Sequence, residues 1–239
     1  MMKTALLLID LQNDFCTGGA LAVKESDAVI EVANSVIALC QAINNRKDNT
    51  PENHDPENHD PENKVQENSI AIIASQDWHP ANHMSFAVNS GQEVGGSGEL
   101  NGIPQIWWPV HCVQGQFGAA FHPSLNQSAI AEVFQKGENP QIDSYSAFFD
   151  NDHKSQTRLH GWLTKHNVQR LFILGIATDY CVKFTVLDAL ALGYETYVIT
   201  EGCRGVNIQP DDSQRAFEEM ANKGAKLITQ SELRPLLQI

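Results

Sequence analysis

The stretch GIATDYCV (175–182) carries a cysteine, Cys181, in a setting suited to nucleophilic chemistry. The apolar run 170–174 before it has the length of a strand, and a glycine bounds it. Beyond it Val182, Val186, Ala189 and Leu190 recur at the spacing of one helix face, with Gly193 as a stop. Cys181 is therefore expected in the first turn of a helix. Unpaired amides and the positive end of the helix dipole there favour thiolate over thiol and can hold an oxyanion. The competing reading is a buried, inert cysteine.

Four further residues follow strand-like runs. Asp10 ends the apolar run 5–9, at the strand end where open parallel sheets place ligands; a turn-forming role is the alternative. Asp77 and His79 come just after a second run, 69–74. Two residues apart, they face the same side of an extended segment and can share a metal ion. His111, in WWPVHC (107–112) beyond a Gly-rich loop (91–102), offers a third donor. One aspartate and two histidines with open positions suit zinc, iron or manganese. His83, four residues past His79, is either a fourth ligand or a loop residue. Lys136 follows the short run 130–134 and by itself reads as surface charge.

The elements that must position these residues alternate. A helix starts at Ser26-Asp27 and puts Val29, Ala33, Val36, Cys40 and Ile43 on one face, so Cys40 belongs to the core. Further helices are expected over 156–166, 182–192 and 210–223, with strands over 194–200 and 225–228. Loop 139–153 offers Tyr145, Phe148 and Phe149 as pocket walls. This alternation predicts one domain with a parallel sheet covered on both faces and a site along the carboxyl edge. Residues 48–68 interrupt it with PENHD at 51–55 and 56–60, begun again at 61–63. A proline every fifth residue and no apolar side chain between Thr50 and Lys64 predict a solvated insertion rather than a packed element.

Composition narrows the function classes. A net charge of -13 argues against nucleic acid or an anionic membrane as partner. Five cysteines without a regular spacing suit a reducing cytoplasm better than a disulfide framework. The apolar run 5–9 is too short for a signal segment, and no uninterrupted apolar stretch is long enough to span a bilayer. No G-x-G-x-x-G follows a predicted strand, which disfavours dinucleotide binding.

Taken together, ALLLIDLQNDFCTGGAL, SQDWHPANHMSFA, IWWPVHCVQG, FQKG, DSYSAF and GIATDYCVKFTVLDAL resemble, in order, the motifs of nicotinamidases within the isochorismatase-like cysteine hydrolases. The resemblance covers nearly the whole chain outside 48–68, and DWHP, WPVHC and ATDYC are its most specific parts. It implies a three-layer α/β/α fold with a central, mostly parallel sheet. It implies Asp10, Lys136 and Cys181 as a catalytic triad, with the amides of Ala177 and Cys181 as oxyanion hole. Asp77, His79 and His111 would hold one divalent ion, zinc before iron or manganese; His83 matches a ligand in only some members. Phe15, Leu21, Trp108, Tyr145 and Ala177 would wall a pyridine ring, and a cis peptide between Ile176 and Ala177 would aim the Ala177 amide inward. The implied reaction converts nicotinamide to nicotinate and ammonia through a thioester on Cys181, a step of NAD salvage, with pyrazinamide also accepted. An amidase for another small amide, such as an N-carbamoyl compound, is the alternative within the family. A non-catalytic metal-binding module on the same fold is the alternative outside it. A homo-oligomer is left open.

Overall fold

The computed structural model describes residues 3–48 and 69–237, so the repeat-bearing insertion lies outside the described residues. Six strands form a parallel sheet in the order β5-β2-β1-β6-β7-β8. They are β1 (Lys3–Ile9), β2 (Ala71–Asp77), β5 (Glu132–Lys136), β6 (Val168–Ile176), β7 (Glu195–Arg204) and β8 (Lys226–Ile228). Strands β3 (Ser97–Leu100) and β4 (Ile103–Ile106) make a separate antiparallel hairpin. The helices are α1 (Ser26–Asp48), α2 (Ala87–Ser90), α3 (Leu159–Lys165), α4 (Lys183–Ala191), α5 (Asp212–Asn222) and α6 (Gln230–Leu237). They flank the sheet in the expected three-layer arrangement.

Past their first residues β1 and β6 are buried on both faces, which is why 5–9 and 171–176 read as continuous apolar runs rather than alternating ones. Helix α1 places Val29, Ile30, Ala33, Val36, Ile37, Cys40 and Ile43 in the core. Each large aliphatic there contributes about 1.5–3 kcal/mol by leaving water. Among the described residues α1 alone has the length and apolarity to cross a bilayer, but that face is turned onto the sheet.

Several expected boundaries shift. The third strand is Glu132–Lys136, so Lys136 is the last residue of the strand rather than part of the loop after it. Helix α3 starts at Leu159, because Thr157 folds back in a local turn: its hydroxyl takes the Leu159 amide at 3.1 Å. Strand β7 runs four residues beyond the expected Thr200, through a register shift opposite Gly175. The supposed loop 91–102 contains β3 and leads into β4, and α6 was not foreseen because Pro235 lies within it.

Candidate active site

The sheet order brings four strand ends side by side: Lys136 of β5, Asp77 of β2, Asp10 just past β1, and the turn after β6. Asp10 leaves β1 with φ of 49°, a left-handed conformation that aspartate tolerates better than most residues. Gly175 has φ of 142°, and a Cβ there would collide with the Ile9 carbonyl oxygen, so only glycine lets β6 pass β1 beside Asp10. The Ile176–Ala177 peptide is cis, as the resemblance implied. Cys181 does not occupy the first turn of α4. It lies in a wider π-type turn, Thr178–Val182, where the Ala177 carbonyl accepts the amides of Tyr180 and Val182 at 3.1 and 3.0 Å. Such single π turns inside helices recur at functional sites.

Lys136 is the hub. Its Nζ lies 3.1 Å from Asp10 Oδ2, 3.5 Å from Cys181 Sγ and 2.9 Å from Asp77 Oδ1, and donates to the Ser144 carbonyl at 2.8 Å. The side chains of Lys136 and Asp10 are wholly buried. Burial opposes charge on Lys136, but Asp10, Asp77 and Cys181 outweigh it and hold the ammonium well above its ordinary range. Asp10 Oδ1 accepts the Ser75 hydroxyl at 2.7 Å. Its Oδ2 is close enough to Lys136 for ion pairing yet completes no hydrogen bond, which leaves a lone pair for a proton. Burial raises Asp10 despite Lys136. Burial also pushes the Cys181 thiol well above its ordinary range, with Lys136 opposing and the two carboxylates adding to the rise. Burial thus works against the thiolate that a helix-start position favours.

Beside this cluster, Asp77 Oδ2 lies 3.0 Å from His79 Nε2 and 3.4 Å from His111 Nε2. Each imidazole donates its other nitrogen, Nδ1, to a carbonyl: His79 to Gly137 at 2.9 Å, His111 to Pro109 at 2.8 Å. Carbonyl-anchored Nδ1–H groups fix the tautomer and present Nε2 lone pairs to a cation. Two such nitrogens facing one carboxylate oxygen need positive charge between them, so these residues fit a divalent ion. Burial disfavours the Asp77 carboxylate, but His79 and Lys136 together keep it well below the usual range. His83 joins a second group with His79 and Asp143, and its buried Nε2 has no hydrogen-bond partner. His83 thus stands beside His79 but outside the group of Asp77, His79 and His111. Gly137, with φ of 69°, closes the gap between the two halves: a Cβ there would overlap the His79 ring.

Phe15, Leu21, Trp108, Tyr145 and Ala177 all line one cleft with Cys181, Asp77 and His111. Its walls enclose about 350 Å³, part of it open to solvent. Trp108 Nε1–H donates to the Tyr145 hydroxyl at 3.3 Å, and the two rings meet edge to face at 87°. Phe148 is instead a core residue stacked on Tyr194, not a wall. Sequence reasoning missed Asp143, Ser144, Tyr180 and Val206, which also line the cleft. It also missed two braces in the QND segment. Gln12 pairs with the backbone of Asp77 through both amide atoms, at 2.7 and 2.8 Å, and Asp14 Oδ2 accepts the Cys112 amide at 2.7 Å. A glutamine and an aspartate directly after the Asp10 strand were the available signal. Gln105 of the unforeseen hairpin donates to Asp143 Oδ2 at 2.7 Å, so β4 steadies the wall next to His83.

Comparison with known proteins agrees with this geometry. A family model described as Isochorismatase domain matches residues 4–232. An Escherichia coli nicotinamidase is 55% identical over 229 residues, covering 96% of both chains. The structure of an Acinetobacter baumanii nicotinamidase and pyrazinamidase superimposes with a TM-score of 0.82 at 34% identity, covering 98% of this chain and 99% of that one. A Pyrococcus horikoshii pyrazinamidase solved in complex with zinc gives 0.69 at 32% identity, covering 95% and 99%. With a family model spanning nearly its whole length and these relatives matching end to end, the chain belongs to the isochorismatase family.

Proposed function

We propose that this protein is a nicotinamidase, hydrolysing nicotinamide to nicotinate and ammonia in NAD salvage, and that it also takes pyrazinamide. The observation that carries this reading is the contact of Lys136 with Asp10, Cys181 and Asp77, beside an aromatic-walled cleft that Cys181, Asp77 and His111 line. The relatives named nicotinamidase or pyrazinamidase support the substrate class, and the zinc-bound one supports zinc as the metal. When bound at Asp77, His79 and His111, a divalent ion supplies an electrophilic anchor for a ring nitrogen of the substrate.

In this reading Asp10 Oδ2 takes the proton from Cys181 Sγ, and Lys136 keeps the three groups in register while offsetting the charge that remains. Both acids are raised by the same burial, so the proton moves between groups whose affinities have shifted together. The sulfur attacks the carboxamide carbon, and the amides of Ala177 and Cys181 hold the oxyanion; one such donor is typically worth about 10²–10³ in rate. Asp10 returns its proton to the departing nitrogen, which leaves as ammonia, and a thioester remains on Cys181. Asp10 then takes a proton from water, whose oxygen attacks the thioester carbon; the carbon–sulfur bond breaks, the acid is released, and Asp10 passes the proton to Sγ to restore the thiol. Trp108, Tyr145, Phe15 and Leu21 would wall the flat ring.

The test is ammonia release from nicotinamide, run beside an N-carbamoyl amide, with Cys181→Ala and a chelator as controls. Release is expected from nicotinamide, to fall at least about 10⁴-fold in Cys181→Ala, and to fall on chelation and return with added zinc. Release that persists in Cys181→Ala would end the thioester route. Preference for the N-carbamoyl amide would end the substrate assignment.

A further inference from the structure

A second group of metal-ligating side chains lies outside the site described above. Cys16, Asp27 and His122 each present a donor atom within 4.8 Å of the other two. They come from three segments: the turn just after Phe15, the first turn of α1, and the stretch leading from residue 121 toward β5. Cys16 is buried, His122 half-buried and Asp27 exposed, so the group opens to solvent on its carboxylate side. Asp27 alone would need no ion, since a carboxylate in the first turn is favoured by the helix dipole. A thiol and an imidazole brought to the same point are not explained that way.

One observation separates Cys16 from an ordinary core cysteine. Among the described residues Cys40 joins no group of ligand-type side chains, whereas the Cys16 sulfur shares its point with a carboxylate and an imidazole. Ser26, next to Asp27, is wholly buried and its hydroxyl completes no hydrogen bond. A thiol, a carboxylate and an imidazole converging from three segments form a donor set for a cation. His122 Nδ1 takes only a long contact from the Ser124 amide, 3.3 Å, which metal binding through either ring nitrogen would release at small cost.

We propose that Cys16, Asp27 and His122 form a second divalent-cation site of zinc-like preference, which ties the loop carrying Phe15 to α1 and to the 121–125 segment. A thiolate, an imidazole and a carboxylate with a water in the fourth position match the ligand chemistry of zinc. On binding, the Cys16 S–H bond breaks, a sulfur–metal bond forms, and the proton leaves to solvent. Because Phe15 precedes Cys16 directly, the ion would fix the backbone of the cleft wall from behind.

Cobalt(II) is the probe. The ligands Asp77, His79 and His111 contain no sulfur, so a thiolate-to-cobalt charge-transfer band in the near ultraviolet reports this second site. The full-length protein is expected to take two cobalt ions per chain and to show the band. Cys16→Ser should lose the band and one equivalent of cobalt. His122→Ala, on a half-buried side chain, should weaken cobalt binding there at least about 10-fold. Asp77→Asn should keep the band. Wild-type protein without the band at two equivalents, or a band that survives Cys16→Ser or disappears with Asp77→Asn, overturns the proposal.

Discussion

The molecule contains two lysine–carboxylate networks that differ in almost everything but composition. At the carboxyl end of the sheet, Lys136 meets Asp10 and Asp77 with no solvent on its side chain. At the far edge, Lys226 and Arg170 share Glu195, with Tyr197 donating its hydroxyl to the same carboxylate at 2.9 Å. There the lysine side chain is 52% exposed and Glu195 is 25% exposed. In the exposed network water screens each charge, and removing one leaves the others solvated. In the buried one water screens none of the charges, so removing one leaves the others desolvated and short of a partner. The first arrangement trims an edge strand. The second holds charge where chemistry needs it, at a cost in stability that hydrophobic packing elsewhere offsets.

The sharpest way to break this contrast is Lys136→Met, which fills the space but strips the charge. It should abolish ammonia release and, by leaving Asp10 and Asp77 uncompensated, destabilise the fold by about 3–5 kcal/mol in a denaturant titration. A loss below about 1 kcal/mol would mean the two networks are alike. Next in size is Glu195→Gln. Lys226 first, then Arg170 and Tyr197, hold the Glu195 carboxyl down at about 2. A carboxylate with a depressed folded-state pKa stabilises above its unfolded value near 4.5, and that stability is lost as pH falls toward 2. Glu195→Gln should therefore cost about 1 kcal/mol at pH 7, after allowance for screening, and the gap from wild type should narrow as the pH is lowered below about 4.5. A gap that widens in acid would reverse the sign. Smallest is Lys226→Met: a change of about 0.5 kcal/mol, with ammonia release within about twofold of wild type, since nothing at that edge touches the cleft. A larger fall in activity would show the two edges to be coupled.

Much of this was readable from residue order. Continuous apolar runs announced buried parallel strands, and Asp10, Asp77, Lys136 and Cys181 each stood at or just past the end of one. What escaped was whatever depends on contacts between distant segments. The β3–β4 hairpin hid in a Gly-rich stretch because its outward positions carry no apolar alternation. Gln12 reads as a loop residue until β2 comes alongside and offers the Asp77 backbone. The surroundings of Cys181 are another case. Local sequence shows the amides of the turn, while the desolvation that raises the thiol comes from the assembled core.

Gly137 carries a consequence beyond its own turn. In the proposed mechanism Lys136 serves the proton transfer and His79 holds the cation, and the residue joining their neighbourhoods has no room for even a methyl group. Under that proposal, proton handling and ion handling are geared together through a single peptide unit. A variant that alters ion preference by shifting His79 would have to keep this position bare, and one that adds a side chain here would disturb both gears at once.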